Sequence, residues 1–230
     1  MNERTLLDYY SHKVITPLCL TVKDIRNLII EITLSDAPVR VRRTLTVPSS
    51  MFVGHLSNIL MYAMGWNGGH LKEIEKNGIV YMSPYEKRRD EDSLMPGQTV
   101  RNSFKWTVGQ LLKKTGDSFN FTYDFGDNWK HTVTLLEVRK YEDYELSGGP
   151  GAEIIDGEGC CPPDDVGGVF GYAELIRVMH DPDNPEFEHY HRWAGEAFDP
   201  QWFDMKVYQY RVWDYQRTLG EAILGFYYDI

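Results

Sequence analysis

The sequence predicts an α+β fold: an antiparallel or mixed sheet of hairpins packed against helices, with a helical C-terminal third. Three observations carry this. Alternating apolar residues flank polar turns in two places, over residues 28–47 and 118–136. Apolar residues at helical spacing follow the first pair and recur beyond residue 170. Strand-like and helix-like stretches are segregated along the chain, which argues α+β over a βαβ succession.

In chain order, residues 1–17 read as a tail or peripheral segment, and residues 18–230 as one domain. Leu28, Ile30, Ile32 and Leu34 share one parity, and Val39, Val41, Arg43, Leu45 and Val47 another. With Ser35-Asp36-Ala37-Pro38 between them, they predict an antiparallel hairpin. Arg40 and Arg42 fall on its water side; Arg43 interrupts the apolar side and calls for a carboxylate partner or a rim position. Phe52, Leu56, Ile59, Leu60 and Ala63 predict a helix capped by Ser49 or Ser50 and ended by Gly65. His70 follows in a Gly68-Gly69-His70 turn and, like His55, reads as structural. Residues 83–104 read as a polar loop with a solvated Lys87-Arg88-Arg89 triplet. A short helix starts at Thr107. In the last third, Asn184-Pro185 and Asp199-Pro200 each predict a helix start, the second with Phe203 and Val207 turned inward.

The densest stretch is Phe121-Thr122-Tyr123-Asp124-Phe125-Gly126-Asp127-Asn128-Trp129-Lys130-His131. Phe119, Phe121, Tyr123 and Phe125 share one parity and predict an aromatic core face. A three-residue loop at Gly126-Asp127-Asn128, with Asn128 left-handed, keeps that face whole. It pairs Tyr123 with His131 and Phe121 with Val133, and sets Asp124 opposite Lys130. Asp124 and His131 are then not cross-strand partners.

This run resembles the plasmid pRiA4b ORF-3-like family, as do Cys160-Cys161-Pro162-Pro163-Asp164-Asp165-Val166-Gly167-Gly168 and Gly171-Tyr172. The Arg42-Arg43 strand, Gly65-Trp66, Trp193 and Phe198-Asp199-Pro200 extend the likeness over most of the chain from Leu18. The resemblance implies a compact α+β domain and no settled activity. Members labelled insertion-sequence passengers or resolvase-like do not imply recombination here, because the C-terminal third is acidic rather than basic. The family pattern has an acidic residue where this chain has Lys130, so an acidic pair across the hairpin is missing.

Composition narrows the function classes. With 24 basic and 34 acidic residues the formal charge is -10, which disfavours nucleic acid as a partner. No apolar run approaches the roughly 18 residues of a membrane span. Three cysteines, two of them adjacent, make no disulfide framework and suggest a reducing, cytoplasmic setting. Candidate site residues are Asp124, Asp127, Trp129, His131, Cys161, Asp164 and Asp165. Carboxylates and imidazoles suit a divalent metal, yet no ligand motif has the right spacing, so no cofactor is expected. The reading is a binding or adaptor domain for a protein or peptide, with a groove between the aromatic sheet and the C-terminal helices. The alternative is a metal-dependent hydrolase or nuclease using the clustered Asp and His residues.

Overall fold

The computed structural model describes residues 26–89, 97–140, 151–195 and 197–228. The tail assigned to 1–17 lies outside them, as do Glu142, Asp143 and Glu145. Eight strands form one mixed sheet: β1 (Arg26–Leu34), β2 (Arg42–Pro48), β3 (Lys72–Lys76), β4 (Ile79–Met82), β5 (Thr99–Asn102), β6 (Ser118–Tyr123), β7 (Trp129–Lys140) and β8 (Glu153–Glu158). Their spatial order is β5-β4-β3-β6-β7-β1-β2-β8. Among the described residues only β4 and β5 pair in parallel. The helices are α1 (Val53–Met64), α2 (Pro84–Arg89), α3 (Val108–Leu111), α4 (Gly168–Met179), α5 (Phe187–Ala194) and α6 (Met205–Tyr228). Among the described residues no helix is long and apolar enough to cross a membrane.

The first hairpin forms with the expected parity: Ile30 pairs with Leu45 and Ile32 with Arg43. Leu28, Ile30, Ile32, Leu45, Val47, Phe121, Tyr123, Val133 and Leu135 are all buried, and α1 adds Leu56, Ile59, Leu60 and Ala63 to the same core. Helix α1 starts later than expected. Ser49 instead accepts from the Arg26 N–H through Oγ, and the Val53 N–H donates to the Trp106 carbonyl. Residues 83–104 are not one loop: they hold α2, β5 and a 3-10 turn at Ser103–Lys105. Helix α6 begins at Met205, not at Asp199-Pro200. The Asp204 carboxylate accepts from the Lys206 N–H and supplies the cap, whereas Asp199 closes a local turn onto Gln201. Val207 consequently faces out, and Tyr208 and Val212 face in.

Arg43 is fully buried and, among the described residues, has no carboxylate partner. Its guanidinium donates to five backbone carbonyls: Nε to Ala63, Nη1 to Arg42 and Glu158, Nη2 to Met64 and Gly159. The rings of Phe203 and Tyr208 lie 4.6 Å and 4.1 Å from its Cζ, a cation–π arrangement that suits the flat, weakly hydrated guanidinium. Two of those carbonyls close the C-terminal end of α1, where a cation also meets the negative end of the helix dipole. Arg211 on α6 continues the capping at Gly65 and Trp66. Arg42, expected in water, is only 18% exposed and is held by Asp156 and Glu158 of β8.

Strand β8 is an edge strand, and α6 covers it. Gln216 accepts from the Ala152 N–H and donates to its carbonyl, while Gln209 accepts from the Ile154 N–H. The two glutamines take the place of a ninth strand at that edge.

Candidate functional site

The β6–β7 hairpin keeps its predicted parity but not its register. Tyr123 pairs with Trp129, Phe121 with His131 and Thr122 with Lys130. The loop is therefore five residues, Asp124 to Asn128, and Asp124 is not opposite Lys130. The physical reason is Asp124 itself. It adopts a left-handed φ of 56°, its Oδ1 accepts from the Gly126 and Asp127 N–H groups, and its carbonyl accepts from Asn128. These bonds close the turn from within, as Asx side chains do. Asn128 is left-handed, as expected.

This turn delivers Asp124 to a partner that sequence reasoning passed over. The β3–β6 ladder ends with Lys72 beside Tyr123, and the Asp124 N–H donates to the Leu71 carbonyl. The next residue back is His70. Its Nδ1 lies 3.2 Å from Asp124 Oδ2, and its Nε2 lies 3.6 Å from Asp165 Oδ1. One donor atom from each of His70, Asp124 and Asp165 falls within 4.8 Å of the others. Asp124 is buried, His70 half-buried and Asp165 exposed.

Four bonds hold the 160–168 loop, two of them to the β6–β7 hairpin, one to Trp66 after α1 and one to Tyr172 of α4. Tyr123 Oη donates to Asp164 Oδ1, the Gly167 N–H donates to Asp127 Oδ2, Trp66 Nε1 donates to the Pro162 carbonyl, and Tyr172 Oη donates to the Cys160 carbonyl. Gly168 has a φ of 68°, and a Cβ there would stand 2.6 Å from the Asp127 carbonyl oxygen. The close approach of the two loops therefore needs glycine at this position. Burial, and then the neighbouring Asp165 and Asp124, push the Asp164 carboxyl above its ordinary pKa. Burial and Asp164 push the Tyr123 phenol up as well.

Four of the predicted site residues meet here: Asp124, Asp127, Asp164 and Asp165. The other three are core. Trp129 is fully buried, and its indole N–H has no acceptor among the described residues. His131 is 1% exposed, its Nδ1 is bonded to the Phe121 carbonyl, and burial lowers its pKa to about 4. Cys161 is buried, and that burial pushes its thiol well above the usual range. Asp164 and Asp165 do not cap the following helix, whose N-cap is a left-handed Gly167 with no side-chain bond. The aromatic face of the sheet is covered by Trp66, which stacks on Tyr123 at 4.6 Å and meets His131 edge-on at 5.2 Å. The exposed aromatics lie elsewhere, with Tyr210 and Trp213 on the outer face of α6 and Phe170 two residues beyond Gly168.

A mixed sheet with segregated helices, carrying a histidine and carboxylates at a junction of two loops, defines an α+β domain with a polar site at one end of its central strands. The chain belongs to the plasmid pRiA4b ORF-3-like protein family, whose model matches residues 26–207. It is 29% identical over 168 residues to an uncharacterized protein, y4hQ, of Sinorhizobium fredii, covering 73% of this chain and 80% of that one. The fold matches the crystal structure of a protein of unknown function, MM3350, from Methanosarcina mazei. There the TM-score is 0.65 at 24% identity, over 79% of this chain and 97% of that one.

Proposed function

We propose that this protein is a binding domain that takes a positively charged group at the junction of the 124–128 and 160–168 loops. The observation that carries this reading is uncompensated negative charge. Asp124 and Asp165 flank His70, Asp164 follows on the same loop, and among the described residues none of the three is salt-bridged to a lysine or arginine. Like charges held this close favour any ligand that brings the opposite sign. Phe170, 90% exposed, adds apolar surface close by in sequence, which suits a basic peptide segment as one form of that ligand. Isothermal titration with an arginine-rich peptide and with divalent cations tests it. Binding that His70→Ala and Asp165→Asn abolish supports the reading; no binding of either kind sinks it.

A second reading, metal-dependent hydrolysis, is favoured by one observation. Asp124 holds His70 through Nδ1 in the way that carboxylates orient catalytic or metal-binding imidazoles. Screening phosphodiester and phosphomonoester substrates with added zinc or manganese separates the two readings. Turnover lost in His70→Ala would favour the enzyme.

A further inference from the structure

We propose that the positively charged group is a divalent transition-metal ion, coordinated by His70 Nε2 and the Asp165 carboxylate, with Asp124 as the positioning residue. This rests on the cation-binding reading and names the cation.

The roles of the two buried-side groups follow from their bonds. Asp124 Oδ1 is occupied by two backbone N–H groups, and its Oδ2 faces His70 Nδ1 at 3.2 Å. An acceptor at that position places the imidazole proton on Nδ1 and frees the Nε2 lone pair, the state a metal ligand requires. Asp124 therefore has no oxygen to spare for the ion and works through His70.

The gap between His70 Nε2 and Asp165 Oδ1 points the same way. At 3.6 Å it is too long for a charge-assisted hydrogen bond. It matches two ligands of one ion: bonds of about 2.0–2.2 Å meeting at a tetrahedral angle set their donors about 3.4 Å apart. Asp164, the next residue in the chain, is held through Oδ1 by the Tyr123 hydroxyl and is not one of the three residues whose donor atoms lie within 4.8 Å of one another, so water completes the ion's shell.

The donor set selects the metal class. An imidazole with a carboxylate suits zinc or manganese; calcium and magnesium prefer oxygen alone, and softer ions prefer thiolate. Cys161 is withheld from the set by its burial. Lys130, exposed on the far strand opposite Thr122, does not enter this set, so the acidic residue that the family pattern has at that position is not needed for it.

The test is zinc titration by calorimetry, with manganese-induced broadening of the His70 ring resonances as a second readout. Wild type should bind one ion per chain, and His70→Ala and Asp165→Asn should each weaken binding at least tenfold. Asp165 is 77% exposed, so its variant leaves folding untouched. Asp124→Asn should weaken binding about 10–100-fold and also shift the His70 ring-nitrogen signals away from the Nδ1–H tautomer, a change that a purely structural role would not produce. The double variant His189→Ala/His191→Ala should bind as wild type. If wild type binds neither ion, or His70→Ala binds as well as wild type, the metal assignment is overturned. Should the arginine-rich peptide bind while the ions do not, only the metal assignment falls; should nothing bind, both do.

Discussion

Two charged centres sit about the same sheet, and they are built on opposite rules. At Arg43 the charge is sealed: five carbonyls take its donors and two aromatic rings close over it. At His70 the charge is left open, with a buried Asp124 toward one ring nitrogen and Asp165, facing water, toward the other. A buried charge is tolerated when every bond is met, and removing it strands the groups that met it. An open cluster of like charge gains nothing for the fold and is explained by what it can hold. The contrast teaches that burial alone does not mark a site here; the balance of donors against acceptors does.

The largest test of that contrast is Arg43→Met. It leaves the carbonyls of Ala63, Glu158 and Gly159 without their donor, and unfolding by denaturant should show a loss of about 3–5 kcal/mol. A loss under about 1 kcal/mol would break the distinction. Next comes acid. His131 is neutral in the fold, its pKa lowered by burial from the ordinary 6.5 to about 4, and His55 is lowered likewise. The unfolded chain then binds more protons than the folded one in that window. Stability should be full above pH 6.5 and should fall as pH drops towards 4, by on the order of 3 kcal/mol for His131. His131→Phe should flatten part of that acid limb, read from denaturation midpoints at stepped pH. Gly168→Ala should cost about 1–3 kcal/mol, because its φ is positive and its Cβ would strike the Asp127 carbonyl. The same variant should weaken cation binding by pushing the two loops apart. His70→Ala should be the mildest for the fold, within about 1 kcal/mol by thermal melting, while removing binding altogether.

Much of the fold was legible because alternation survives errors of register. The predicted hairpin loop was two residues too short, yet every side chain of β6 and β7 stayed on its expected face, since a shift of two preserves parity. What failed was chemistry hidden from periodicity. Asp124 closes its own turn through its side chain, which no apolar pattern announces. Strands β3 and β4 went unread, although Asn77-Gly78 between them is a strong two-residue hairpin signal, and both residues do take positive φ. Arg43 was expected to need a carboxylate, because sequence gives no view of the carbonyls that α1 and β8 turn towards it. His70 was set aside for the same reason: its partners are 54 and 95 residues away, brought together by the β3–β6 ladder and the docked 160–168 loop. The four aspartates were found because they lie in two compact motifs; their histidine does not.

The glutamine seal along β8 has a consequence for how the chain keeps to itself. A bare strand edge is a template on which another chain can grow, and here the template is shut by side chains from a helix near the end of the sequence. The seal rests on two side chains, Gln209 and Gln216, bonded at Ile154 and Ala152. Loosening α6 from β8 would bare those backbone groups and offer the strand for pairing with another chain.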